Sequence, residues 1–122
     1  MNTLFLETNP PDSGSVYYFQ FWNEAGQGWN GSAFATYNTT RDTWDFPATE
    51  IGVTGVYTVT IPTFADGTLV RWSGKKQSGG SPSHANDSVY VEGINVYKTG
   101  VGFVEIDAFT IGGDAITIEI PQ

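Results

Sequence analysis

Residues 16–22, Val-Tyr-Tyr-Phe-Gln-Phe-Trp, are an almost unbroken run of large apolar and aromatic side chains. Successive side chains of a β-strand point to opposite faces. Val16, Tyr18, Gln20 and Trp22 therefore share one face, and Tyr17, Phe19 and Phe21 the other. Large rings on both faces predict a strand covered on each side rather than an open edge. The link that follows supplies Gly26, Gly28, Asn30 and Gly31, residues that reverse a chain readily. Residues 32–37 then return as a second strand, with Phe34 on one face and Ala33, Ala35 and Tyr37 on the other.

The same period recurs down the chain. Residues 3–7 form a short apolar strand that ends before Pro10 and Pro11. Trp44 and Phe46 share one face of a short strand stopped by Pro47; residues 40–45 have the alternative of a single helical turn capped by Thr40. In residues 53–62, Tyr57, Val59 and Ile61 face a core while Thr58 and Thr60 face water, the pattern of a half-buried antiparallel strand. Asp66 and Gly67 form a turn, and residues 68–73 read as the second arm of a hairpin with 53–62. The stretch 74–88 is rich in Gly, Ser, Pro, Asn and Lys and has no apolar anchor. It reads as an exposed mobile loop or as an arm ordered by a partner. Four strands follow, 89–92, 94–98, 101–110 and 115–120, separated by turns at Gly93, Thr99-Gly100 and Gly112-Gly113-Asp114. Short strands with turn signals at this spacing predict an all-β, antiparallel β-sandwich, Ig-like or jelly-roll-like, of about nine strands with little or no helix. One domain is expected over residues 1–122, with a possible seam at 74–88 and the segment 89–120 as an assembly-forming sheet.

Composition narrows the chemistry. The chain has 122 residues, enough to bury a core, and it holds 4 Trp, 6 Tyr and 8 Phe but no cysteine. Disulfides, thiolate nucleophiles and cysteine-held metals are excluded. Five Lys and Arg stand against 13 Asp and Glu, a formal net charge of −8. Lys75-Lys76 is the one local basic pair. Such a surface repels a polyanion, so neither nucleic acid nor an anionic membrane is an expected partner. No secretory signal and no apolar run long enough to span a bilayer is present, and the Asn-x-Ser/Thr triplets at Asn30, Asn38 and Asn86 read as turn chemistry.

Candidates for a site are few. The single histidine, His84, falls within the polar loop and is expected to face solvent. No Ser lies in a nucleophile elbow. Glu105 and Asp107 lie two apart on one strand face, about 7 Å by strand geometry, a spacing compatible with paired glycosidase carboxylates but more usual on a solvated face. The turns at 85–88 and 112–115 carry oxygen ligands without the spacing of a calcium loop. No catalytic residue, metal or cofactor is expected. Of the tryptophans, three are expected in the core, while Trp29, between Gly28 and Asn30, is placed either to display its ring or to plug the end of the sandwich. Trp29 and Trp44 are the candidate contacts for a glycan. Ile116, Ile118 and Ile120 share one face of the last strand, an apolar edge to be covered by the protein's own sheet or by another subunit. They are the candidate subunit contacts.

Trp29, Asn30, Gly31, Ala33, Phe34 and Tyr37, followed by Gly55, Tyr57 and Pro62, carry a resemblance. Over residues 15–72 the chain resembles a small all-β module of tailed-phage virion proteins and prophage-like bacterial genes. The resemblance implies a non-enzymatic virion structural role: a capsid decoration, head-fibre or tail-associated protein, made in the host cytoplasm. It implies other virion subunits, and the chain itself, as partners, with a trimer the first expectation for a homo-oligomer. The C-terminal third departs from the module. A carbohydrate-binding or adhesin domain is the alternative expectation.

Overall fold

In a computed structural model the chain is all-β, two antiparallel sheets packed as a sandwich, with no helix among the described residues. The structure describes residues 2–37, 43–105, 108–111 and 116–119, the last two stretches by their backbone. The strands in chain order are β1 (Thr3–Glu7), β2 (Tyr17–Trp22), β3 (Gly28–Trp29), β4 (Phe34–Ala35), β5 (Phe46–Pro47) and β6 (Thr49–Glu50). They continue as β7 (Val56–Thr60), β8 (Leu69–Lys76), β9 (Ser88–Lys98), β10 (Gly102–Val104), β11 (Ala108–Ile111) and β12 (Ile116–Glu119). A three-stranded sheet has the order β1-β7-β6. A seven-stranded sheet has the order β10-β9-β8-β2-β3-β4, with β5 also paired to β2. Among the described residues β11 and β12 pair with each other and with no other strand, Phe109 opposite Ile118 and Ile111 opposite Ile116.

The alternation in β1 and β7 sets the small sheet's inner face. Leu4 lies opposite Val59 and Leu6 opposite Tyr57, and all four are buried. Thr58 and Thr60 lie on the other face, as their positions in the sequence imply. From the large sheet Tyr17, Phe19, Phe21, Val70, Tyr97 and Phe103 complete the core. β2 pairs with β8 along its whole length and with β3 and β5 on its other side, so it is an interior strand. Each buried large ring removes roughly 150–250 Å² from water.

Three expectations are corrected. Residues 53–62 and 68–73 form no hairpin: β7 belongs to the small sheet and β8 to the large one, so residues 61–68 cross between the layers. Phe64 in that crossing fills the centre of the core, stacked on Phe34 at 5.5 Å and on Phe103 at 6.1 Å. The return from β2 is likewise a meander of β3 and β4, not one hairpin arm. Gly93 is no turn. β9 runs through it unbroken because the Trp72 ring lies where its side chain would be: an added Cβ would sit 2.5 Å from Trp72 Cζ2. Ile120 and Asp107, and residues 40–42 of the helical turn proposed at 40–45, lie outside the described residues. So do the side chains of Ile116 and Ile118.

Candidate functional site

The rings of β2 that point away from the core mark the site. Antiparallel partners share a face, so Tyr18, Gln20 and Trp22 stand beside Lys75, Ser73 and Arg71 of β8. Beyond them on β9, Val89, Glu92 and Ile94 oppose Lys75, Ser73 and Arg71 in turn. A register shift between Gly74 and Lys75 leaves Tyr90 as the extra residue, which keeps Val91 toward the core and Val89 on the outer face. Together these strands floor an open groove of about 660 Å³. The turn at Gly26 and the loop 77–87 rise at its ends.

The loop 77–87 is pinned, against its reading as mobile or partner-ordered. Its anchor is polar. The Asp87 carboxylate is buried and accepts four hydrogen bonds: from the Tyr18 hydroxyl at 2.6 Å, the Ser83 amide at 2.7 Å, and the Ser78 amide and hydroxyl at 2.9 and 2.7 Å. Burial alone would raise the Asp87 carboxyl, but the hydrogen bonds outweigh it and hold the group well below the usual carboxylate range. Tyr18, the other end of the contact, is pushed up by its own burial and by Asp87.

The fold of this loop sets His84 over the groove. Its ring packs on Trp22 at 5.9 Å and on Tyr37 at 4.8 Å, and Nδ1 lies 3.1 Å from Lys75 Nζ. Lys75 is only 5 % exposed. Burial pushes its ammonium down, against the opposing pull of Asp87 and Asp45. Burial first, and then Lys75, push His84 down as well, against the opposing pull of Asp45. The neighbouring Lys76 faces the other way and pairs with Asp12 at 2.9 Å. The adjacent lysines are thus two separate charges on two faces, not one basic spot.

Asp12 closes a second polar cluster. Its carboxylate also accepts from Tyr17 at 2.8 Å and Ser15 at 2.8 Å. Lys76, then Tyr17 and Ser15, lower the Asp12 carboxyl from 3.8 to about 2. Glu50 is held down chiefly by the Gly14 and Gly55 amides. Its contacts with Tyr17 and Lys76 tie the segment before β2 to the sandwich, and the cluster is structural. The native state binds fewer protons than the unfolded chain between pH 2 and 4, so stability rises with pH across that window. Asp12 contributes fully above pH 4, and its contribution is lost as pH falls toward 2. Urea unfolding from pH 2 to 7 is expected to show this acid slope, shallower in Asp12→Asn. An equally steep slope in that variant would refute the assignment.

The aromatic candidates fare differently. Trp44 is 3 % exposed, with its ring 5.3 Å from Tyr37 and packed against Gly28; it has no face to offer a glycan. Trp29 is half-buried, 4.9 Å from Phe64 and 5.1 Å from Phe34. It packs down as the plug. Glu105 is exposed. Among the described residues no three His, Asp or Glu side chains gather as a metal site, and no helix is long and apolar enough to cross a membrane. What sequence reasoning missed is the Trp22–Arg71–Ser73–Lys75 face. Its signal was present: in Leu69–Lys76 the alternation places Arg71, Ser73 and Lys75 together, beside the polar side of β2. No family model matches the chain, and no curated protein or solved structure matches it either.

Proposed function

We propose that this chain is a non-enzymatic structural protein of a virion, a capsid-decoration or head or tail accessory protein that joins neighbouring subunits through its C-terminal hairpin. The observation behind the reading is that hairpin: among the described residues β11 and β12 hydrogen-bond to each other and to neither sheet. A two-stranded hairpin alone is at best marginally stable in water, and its open edges accept a further strand. A second copy of the chain, or another virion subunit, supplies that strand. Ile116 and Ile118 lie in β12 and Ile120 follows it, which makes these the contact residues of the proposal. The sequence resemblance over residues 15–72 supports the same class. On this reading the protein resides in the virion after synthesis in the host cytoplasm, and a homotrimer is the first assembly to look for.

The test is light scattering coupled to size exclusion on the full chain and on a chain lacking residues 115–122. The full chain is expected to run as an oligomer and the truncated one as a folded monomer with an unchanged β spectrum. A monomer in both cases, or the same oligomer in both, would overturn the proposal.

A further inference from the structure

We infer that the groove over β2, β8 and β9 binds an acidic saccharide, with a sugar face on Trp22 and its carboxylate held by Arg71, the cross-strand partner of Trp22. The inference does not depend on what the C-terminal hairpin joins. Charge is the first support. A chain with five Lys and Arg against 13 acidic residues places Arg71, Lys75 and its single histidine around one groove. Arg71 is exposed and makes no ion pair among the described residues. An ammonium has three N–H donors, and His84 receives one of those of Lys75. Arg71 supplies a planar fork suited to a carboxylate, and Lys75, about 13 Å further along β8, a buried positive charge at the other end of the row.

The remaining lining suits hydroxyls rather than a second anion. Ser73 and Glu92 are cross-strand partners on the floor, one able to donate and accept, the other an acceptor. Residues two apart on a strand are about 7 Å apart, so Arg71, Ser73 and Lys75 present polar groups in a row along the groove. Trp22 forms an aromatic wall steadied by Tyr37 at 5.1 Å and by His84. Val89 and Ile94 leave about half of their surface exposed at the rim, at 50 % and 49 %. A volume of about 660 Å³ lies inside the range of roughly 300–1,000 Å³ typical of small-ligand sites. A sugar acid combines an apolar C–H face, several hydroxyls and one carboxylate, and so matches each part of this lining.

Isothermal titration of the full chain with the disaccharide of D-galacturonic acid tests the inference. Saturable binding is expected with a Kd below about 1 mM. The neutral galactose disaccharide of the same linkage is expected to bind at least about tenfold more weakly. Arg71→Gln, an exposed position whose change leaves the fold intact, is expected to lose about tenfold. Trp22→Ala is expected to abolish binding, its folding checked by the far-UV spectrum. Absence of saturable heat, equal binding of the neutral disaccharide, or unaltered binding in Arg71→Gln would overturn it. So would tighter binding of an acidic tetrapeptide than of the uronate.

Discussion

Phe64→Ala is expected to cost about 3–5 kcal/mol of folding free energy, the range for truncating a buried Phe. Phe64 sits in the crossing between the two sheets with 4 % of its surface exposed. Its ring is stacked between Phe34 and Phe103, with interplanar angles of 14° and 3°. Trp29 and Tyr97 meet it edge-on at 4.9 and 5.5 Å. Phe21 closes the group at 5.9 Å. Rings of this size on both faces cannot close over an alanine without leaving their own positions, so a cavity remains and adds to the lost transfer term. A fall in Tm of at least about 10 °C should follow. Phe5→Ala, an exposed change on the outer face of β1, should stay within about 0.5 kcal/mol. A Phe64→Ala protein that melts within about 3 °C of the parent would remove Phe64 from the centre of the core.

Asp87→Ala should come next in size, at about 2–4 kcal/mol, with a more local effect. Four hydrogen bonds lose their acceptor at once, and the buried Tyr18 hydroxyl is left without a partner. The loop 77–87 should then detach from the sheet while the sandwich persists. Hydrogen exchange at the Ser78 and Ser83 amides is expected to accelerate far more than at Val70 or Phe19 in the core, and subtilisin should cut within the loop. His84 would leave Lys75 and Trp22, so the tryptophan emission should also change. Uniform acceleration across the core, with no preference for the loop, would contradict a local latch.

The contrast between these two residues marks what was legible in the sequence. Alternation identified both faces of β2 and the buried side of β7, because period-two patterns are local and survive any topology. It could not assign strands to sheets. The Asp66-Gly67 turn is real, with Gly67 at φ +82°, but turn chemistry does not say which sheet the next strand joins. Hence the crossing at Phe64 read as a hairpin. Gly93 read as a turn because glycine usually punctuates a chain; its reason here is the Trp72 ring, supplied by another strand. The loop around His84 looked unanchored because only apolar anchors were sought. The partner of Asp87 is Tyr18, 69 residues away. The groove is hidden for the same cause: its residues come from three strands, the turn at Gly26 and the loop 77–87, far apart in the sequence.

The strand order has a kinetic consequence. β1 pairs with residues 56–60 and β2 with residues 71–76, so the small sheet's central ladder needs the chain through residue 60 and the large sheet's through residue 76. Contact order is therefore high, and refolding belongs to the slow millisecond-to-second regime of β-sandwiches rather than the microseconds of helical bundles. A nascent chain emerging during synthesis holds β2, its most aromatic segment, with only the short contacts of β3 and β5 until its full-length partner β8 has been made.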